Sequence, residues 1–149
     1  MGDRSNIVVV SRGWSSGEGG YVHDPLKDTR VYLYGHWMGD KAIEHAVHGL
    51  RSGRVNDPQY LARIIFCSMV KESIDGETSF GISAVIGANE YPVIVIDGEG
   101  DKVWLEGGNT SPVTPKVTVA RFLQILDDHP TAQWSLDGLV DWVNEEVYA

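Results

Sequence analysis

The sequence predicts an α+β protein, with a mainly antiparallel sheet of about five strands and about four helices packed on it. Short β-branched runs and alternating stretches are typical of strands, and other stretches repeat apolar residues every three or four positions, as amphipathic helices do. The predicted order is two strands, two helices, three strands and two helices. The chain has 149 residues, the size of one domain, so we expect residues 1–149 to form a single globular domain.

A long connection separates the first two predicted strands. Residues 7–10 are an apolar, β-branched run, and residues 31–34 alternate in a way that puts side chains on opposite faces of a strand. We expect these two strands to pair in antiparallel fashion. Residues 13–29 between them are rich in glycine, serine and charge, which predicts an exposed loop or an irregular hairpin of unusual length.

Two helices are predicted next, joined by a short link. Residues 40–50 place apolar side chains on one face, and Asp40 stands where an N-cap belongs. In the second helix Asp57 is the predicted N-cap and Pro58 the first helical residue, where proline is tolerated. The short link at 53–56 predicts that the two helices pack as an antiparallel hairpin.

Three strands follow in the middle of the chain. Residues 79–86 alternate apolar with smaller or polar side chains, which predicts a half-buried strand. Residues 93–96 are continuously apolar, so we expect a central strand that is covered on both faces. A turn at 97–100 connects this strand to its predicted hairpin partner at 102–106.

The C-terminal part is predicted to be helical. Residues 119–126 have helical spacing and end before Pro130, although Val117 and Val119 could instead extend a strand. Ser135 is the predicted N-cap of a last helix, whose apolar residues share one face.

Charge and cysteine content argue against several classes of protein. The formal net charge is −9, which argues against a nucleic-acid partner bound through its phosphate backbone. Cys67 is the only cysteine, which excludes an intramolecular disulfide and a cysteine-rich zinc site. Beyond Arg121 the chain has only acidic charges, which we interpret as a solvated helical face, with an acidic docking surface or a DNA mimic as the alternative. These acidic residues are Asp127, Asp128, Asp137, Asp141, Glu145 and Glu146.

The chain carries no signal for a membrane or for export. No apolar run approaches the roughly 18 residues that a transmembrane helix needs, and residues 1–6 lack the apolar segment of a signal peptide. We therefore expect a soluble cytoplasmic protein with no membrane partner. The common nucleotide-cofactor motifs are missing, so we also expect no cofactor.

The strongest candidate for a functional site is the corner at residues 35–40. It joins a predicted strand to a predicted helix, and glycines at 35 and 39 free the backbone around His36 and Trp37. A histidine can act as acid, base or ligand near neutral pH, and a tryptophan can stack on a base or a sugar. The alternative is that Trp37 belongs to the core and that His36 is hydrogen-bonded under the sheet.

The predicted helix at 40–50 offers a weaker candidate for a metal site. Asp40, Glu44 and His48 share one face of that helix, and His45 lies beside them. A carboxylate and a histidine four residues apart can bind a metal together, but these side chains also fit the solvated face of an amphipathic helix. The candidate ligands are scattered and poor in thiolates, so we expect no bound transition metal.

Antiparallel pairing of the first two strands would place residues 3–6 beside the corner. There Arg4 offers a planar donor to an anionic group, and Trp37 offers a stacking face. Residues 75–78 and 89–91 bring carboxylates to other strand ends, where turn chemistry is the alternative explanation. The predicted ligand-binding residues are Arg4, Asn6, Tyr34, His36, Trp37, Glu77, Glu90 and Tyr91.

Several segments resemble a group of small uncharacterised proteins of actinobacteria and their bacteriophages. These segments read GDRSNIV at 2–8, VYLYGHW at 31–37, DGET at 75–78, FGI at 80–82 and NEYP at 89–92. The resemblance implies a phage-type or phage-acquired cytosolic protein. By analogy, small accessory proteins of this kind bind a host factor or sequester a small signalling molecule.

We therefore expect a phage-type accessory protein that binds a host factor or sequesters a small nucleotide-like ligand, for example in counter-defence, without catalysis. Its oligomeric state is left open. One alternative is a small hydrolase that uses a histidine with nearby carboxylates, and another is a structural or virion-associated protein. The residues of the hydrolase alternative are His36, Asp40, Asp75, Glu77 and Glu90.

Overall fold

The structure is a computed structural model, and it describes residues 2–71, 73, 76 and 78–147, with the backbone alone described at residue 147. The strands within these residues are β1 (Ser5–Ser11), β2 (Trp14–Gly17), β3 (Gly20–His23), β4 (Thr29–Gly35), β5 (Phe80–Ser83), β6 (Val93–Asp97) and β7 (Lys102–Glu106). The α-helices within them are α1 (Ala42–Leu50), α2 (Pro58–Val70), α3 (Val119–Asp127) and α4 (Leu136–Asn144).

Five of these strands form one sheet in the order β5-β4-β1-β6-β7. Neighbouring strands are antiparallel except β1 and β6, which run parallel. All residues of β6 are buried, and the strand lies between β1 and β7. The predicted α+β class is therefore confirmed, as is the prediction that 93–96 form a central strand.

The two faces of this sheet are covered differently. On one face Ile7, Leu33 and Ile94 pack in one core with buried residues of all four helices. On the other face Val8 and Val95 belong to a separate cluster, in which no described residue is helical. Because side chains alternate along a strand, a strand that is apolar throughout contributes to both clusters. The prediction packed the helices on the sheet without choosing a face, and the described helices occupy one face.

Charged side chains close the second face of the sheet. Glu106 is 3% exposed, and its two carboxylate oxygens accept hydrogen bonds from the guanidinium of Arg30 at 2.6 and 2.8 Å. The indole N–H of Trp104 donates to the same carboxylate at 2.8 Å, and Lys116 Nζ lies 4.2 Å from the centre of a Trp104 ring. The hydrogen bond from Arg30 to Glu106 raises the pKa of the guanidinium, so Arg30 stays ionised.

The helices α1 and α2 pack against each other, as predicted, at a point where one of them has a glycine. A Cβ atom on Gly49 would lie 2.4 Å from Ile65 Cγ1, so the small residue permits the close approach. Pro58 is the first residue of α2, as predicted. Asp57 takes the N-cap position of that helix, although its side chain makes no capping hydrogen bond.

Asp40 is not the N-cap of α1, contrary to the prediction. The chain first makes a 3-10 turn, Gly39–Lys41, and α1 begins directly after that turn without a side-chain cap. Asp40 Oδ1 instead accepts a hydrogen bond from the backbone N–H of Leu136 at 2.7 Å. The carboxylate therefore serves the first residue of α4, a partner that only the packing of the chain brings near.

Two predicted segments take a more definite form in the structure. The connection at 13–29 contains the antiparallel pair β2 and β3, which forms a sheet of its own and confirms the irregular hairpin. The strand predicted at 79–86 is shorter, because β5 ends at Ser83, and Ile82 is 60% exposed. β5 is an edge strand whose apolar side chain is left open to solvent, so the predicted half-burial is wrong at this position.

The C-terminal region resolves the ambiguity between strand and helix. Val117 forms a bridge with Val103, which extends the sheet, and α3 begins two residues later behind the N-cap Thr118. Ser135 caps α4, as predicted.

None of the described helices is long and apolar enough to cross a membrane.

Candidate functional site

The N-terminal segment runs beside the corner at 35–40, as the antiparallel pairing of β1 and β4 requires. The N–H of Asp3 donates to the carbonyl of His36 at 2.7 Å, and the N–H of Gly39 donates to the carbonyl of Asp3 at 2.8 Å. Gly39 has a φ of 48°, and a Cβ there would lie 2.2 Å from a carboxylate oxygen of Asp3. Only glycine suits this position, which holds the corner and the N-terminal segment together.

Residues 88–91 lie on the other side of the same segment. The N–H of Glu90 donates to the carbonyl of Arg4 at 2.9 Å, and Arg4 Nη2 lies 2.9 Å from Glu90 Oε1. The side-chain hydrogen bond from Arg4 lowers the pKa of Glu90. The planar donor that the sequence suggested for a ligand is therefore engaged by a carboxylate of the protein itself.

Asn6 and Tyr91 belong to the same network. Asn6 is 1% exposed, and its Nδ2 donates to the carbonyl of Ala88 at 3.2 Å and to Asn89 Oδ1 at 3.1 Å. The hydroxyl of Tyr91 donates to a carboxylate oxygen of Asp3, and this hydrogen bond raises the pKa of Tyr91 to about 12. Both side chains fasten 88–91 to the start of β1.

We expect Tyr91 to titrate above the ordinary range of a tyrosine. The pKa of its phenol is raised above the ordinary value of 10.0 because ionisation would break the hydrogen bond to Asp3 and would also set a phenolate beside that carboxylate. The hydrogen bond therefore stabilises the fold fully below pH 10, and its contribution is lost as the pH rises through about 12. Ultraviolet titration of wild type against Tyr91→Phe isolates this phenol.

The matched variant Asp3→Asn should return that late titration to the ordinary range, because the amide carries no charge. A Tyr91 phenol that titrates near the ordinary value of 10.0 in wild type would show that the Asp3 contact does not persist in solution.

Trp37 is exposed, and the ring of His36 lies against it. The Trp37 side chain is 62% exposed, so the alternative that it belongs to the core is wrong. The His36 ring stands edge-on to it, with the ring centres 4.7 Å apart. His36 Nδ1 lies 2.8 Å from the hydroxyl of Tyr34, which fixes the orientation of the imidazole.

Trp37 lines a cleft of about 500 Å³ that is bordered by α1 and by the C-terminal end of α2. Phe80 and the buried Met38 and Met69 supply its apolar wall. The polar side chains that line the cleft with Trp37 include Lys41, Glu44, His45, His48, Ser68 and Lys71. Lys41, like the candidate metal ligands of α1, follows Trp37 at nearly helical spacing, so the sequence carries a signal for this side of the cleft. Nothing local in the sequence indicates that Ser68 and Lys71 would join them.

Among the described residues that line the cleft, lysines outnumber acidic residues, in a protein whose net charge is −9. Lys41 and Lys71 are both exposed, and neither forms an ion pair with another described residue. Glu44 is the one acidic residue among those described along the cleft. His45 Nδ1 lies 2.8 Å from Ser68 Oγ, which links α1 to α2 across the floor of the cleft. This lining suits an anionic ligand.

The remaining predicted site residues are not assembled with Trp37. Asp40 is engaged at the start of α4, so it does not share a site with Glu44 and His48. Asp75 and Glu77 lie outside the described residues. Within the described part of the chain, no group of three or more His, Cys, Asp or Glu residues is placed to hold a metal ion.

Comparison with known proteins adds no relative from which a function could be argued. No protein-family model, no curated protein and no solved structure matches the chain. The function is therefore inferred from the site itself.

Proposed function

We propose that this protein binds a small anionic molecule with an aromatic ring, a nucleotide-like ligand, in the cleft beside Trp37, and holds it without changing it chemically. The observation that carries the proposal is an exposed indole ring at a cleft that also contains two lysines with no described ion-pair partner. A base can stack on the indole, while the ammonium groups meet a phosphate.

The exposed ring of Trp37 is prepared for stacking. A tryptophan that leaves most of its apolar surface in water gains free energy when a flat apolar partner covers it. The His36 ring stands edge-on to Trp37 and is itself held by the hydroxyl of Tyr34. Little conformational freedom is therefore lost when a ligand binds. Phe80 extends the apolar surface along the same cleft.

The two lysines supply the attraction for an anion. Lys41 lies directly before α1 and Lys71 directly after α2, and both line the cleft, so a phosphate bound there can meet the ammonium groups. An ammonium group is a compact charge that suits phosphate without requiring one fixed geometry. The imidazole of His48 and the hydroxyl of Ser68 add polar contacts.

The hydrolase alternative has less support. His36 does not line the cleft, and its Nδ1 is engaged by Tyr34. Of the carboxylates proposed to act with it, Glu90 is paired with Arg4, and Asp40 accepts from the backbone of Leu136. These contacts give the side chains structural roles. Retention of a ligand in the cleft also agrees with the sequestering role suggested by analogy with small phage accessory proteins.

Calorimetric titration with AMP, GMP, CMP and UMP tests the proposal. We expect at least one of them to bind with a Kd of about 1 mM or tighter. Adenosine and inorganic phosphate should each bind at least about ten-fold more weakly than AMP if AMP is that ligand, because each keeps only part of the contacts. The Lys41→Ala and Lys71→Ala variants should weaken binding about three-fold or more.

Lys27→Ala is the matched control for these variants, since it removes the same charge in the turn Pro25–Lys27, away from the residues that line the cleft. Failure of all four nucleotides to bind wild type would overturn the proposal. Equal losses in the control and in the cleft variants would assign the effect to net charge.

A host protein is the second candidate partner, and the hairpin β2–β3 favours it. Trp14, Tyr21 and Val22 on this hairpin are between 45% and 76% exposed, and Leu26 just after it is 96% exposed. Exposed apolar residues that cluster in this way are typical of protein-binding surfaces. Native mass spectrometry of the protein purified from its own host distinguishes a bound protein from a bound small molecule.

A further inference from the structure

A second cleft continues the first along α1. It has a volume of about 400 Å³ and shares Glu44 and His48 with the cleft beside Trp37. Arg51, Ser52 and Trp134 are among the residues that line only the second cleft. α1 has nine residues, so at about 1.5 Å per residue it is roughly 13 Å long. The two clefts therefore form one groove along α1, with a tryptophan toward each end.

Trp134 gives the far end of this groove a fixed aromatic wall. Its indole N–H donates to the carbonyls of Leu126 and His129 at 3.1 and 3.2 Å, so the ring is anchored from behind. The ring is half-buried and packs against the helical core. Because this surface is already ordered, a ligand ring that packs on it costs the protein little conformational entropy.

Basic side chains line the groove between the two tryptophans, together with one glutamate that both clefts share. Lys41 stands near Trp37, His48 is common to both clefts, and Arg51 lines the second. The side chain of Arg51 is 50% exposed, and its ion-pair partner Asp127 is 61% exposed. An ion pair this open to water is weak, so the guanidinium can exchange its partner for a phosphate of a ligand.

We infer that the groove takes a ligand with two aromatic bases joined by a phosphate-bearing linker, a dinucleotide or a dinucleoside polyphosphate. One base stacks on Trp37, the linker passes the basic side chains of α1, and the second base packs on Trp134. The inference rests on the proposed function, because the first base occupies the cleft already assigned to a mononucleotide.

Titrations with diadenosine and diguanosine tetraphosphate test the inference, with adenosine and guanosine 5′-tetraphosphate as the matched ligands that lack the second nucleoside. We expect at least one dinucleoside compound to bind about ten-fold or more tightly than its matched partner, which is a modest gain for one stacked base. The Trp134→Leu variant should erase that difference and leave the binding of AMP or GMP unchanged.

Arg51→Ala is a second test variant, and it leaves the Trp134 ring and its packing against the core in place. It should weaken the dinucleoside compound about three-fold or more and leave AMP or GMP binding unchanged. Arg54→Ala is its control, because Arg54 carries the same charge but stacks over Tyr60 and lines neither cleft.

The two proposals fail in different ways. If AMP or GMP binds but neither dinucleoside compound exceeds its matched partner, the groove is not a two-base site and the mononucleotide proposal stands. If no mononucleotide, nucleoside tetraphosphate or dinucleoside compound binds, both proposals are overturned.

Discussion

Replacement of Glu106 by alanine should lower the free energy of unfolding by about 3 kcal/mol. The variant leaves the guanidinium of Arg30, whose side chain is 28% exposed, without its carboxylate over an apolar cluster. It also removes the acceptor of the Trp104 indole N–H. A buried donor that loses its partner keeps its desolvation cost, so the loss exceeds that of an ordinary surface pair. Urea denaturation measures the change.

Arg51→Ala is the matched control for this prediction. It also breaks an arginine–carboxylate pair, but the side chains of Arg51 and Asp127 are 50% and 61% exposed. Exposed pairs contribute about 0–1 kcal/mol, so this variant should unfold close to wild type. Similar small losses in both variants would show that Glu106 does not hold the second face of the sheet together.

Replacement of Trp37 by alanine should weaken nucleotide binding at least about ten-fold while the free energy of unfolding changes by less than about 1 kcal/mol. The ring is 62% exposed, so its removal leaves no core cavity, whereas truncation of a buried tryptophan costs about 3–5 kcal/mol. Calorimetric titration with the nucleotide that wild type binds best, together with thermal melts, measures both quantities.

Two further variants complete this comparison. Trp14→Ala removes another exposed tryptophan, 45% exposed, on the hairpin β2–β3, and should leave nucleotide binding unchanged. Arg4→Ala tests whether the ligand binds in the cleft or at the N-terminal segment. Because Arg4 is engaged by Glu90, we expect its removal to leave nucleotide binding unchanged. A loss of binding in Arg4→Ala with normal binding in Trp37→Ala would move the site to the segment that the sequence suggested.

Much of the fold could be predicted because it depends on local patterns. The apolar run at 93–96 predicted a strand covered on both faces, and Ser135 predicted the start of α4 through its own side chain. The alternation at 79–86 predicted that Ile82 would be buried, but its side chain is exposed. Alternation shows which residues share a face of the strand, and it does not show whether anything covers that face.

The candidate site could be predicted only in part. Strand pairing indicated that the N-terminal segment would lie beside the corner of His36 and Trp37, and it does. The partner of Asp40 could not be predicted, since the backbone N–H that it accepts belongs to a residue 96 positions later. A carboxylate just before a helix is typical of an N-cap, so the sequence predicted that role for Asp40, and the prediction was wrong.

By itself the sequence determined the order of the five main-sheet strands and the four helices, the central place of 93–96 and the position of His36 and Trp37 between a strand and a helix. These follow from residue periods and turn residues, which act within a few positions of the chain. Only the tertiary structure decided which charges are available to a ligand. It paired Arg4 with Glu90 across 86 positions and Arg30 with Glu106 across 76, and it brought Lys71 to the cleft of Trp37 and Trp134 to the groove that extends it. The physical reason is that an ion pair or a cleft wall requires proximity in space, and packing sets that proximity between residues whose local patterns are independent.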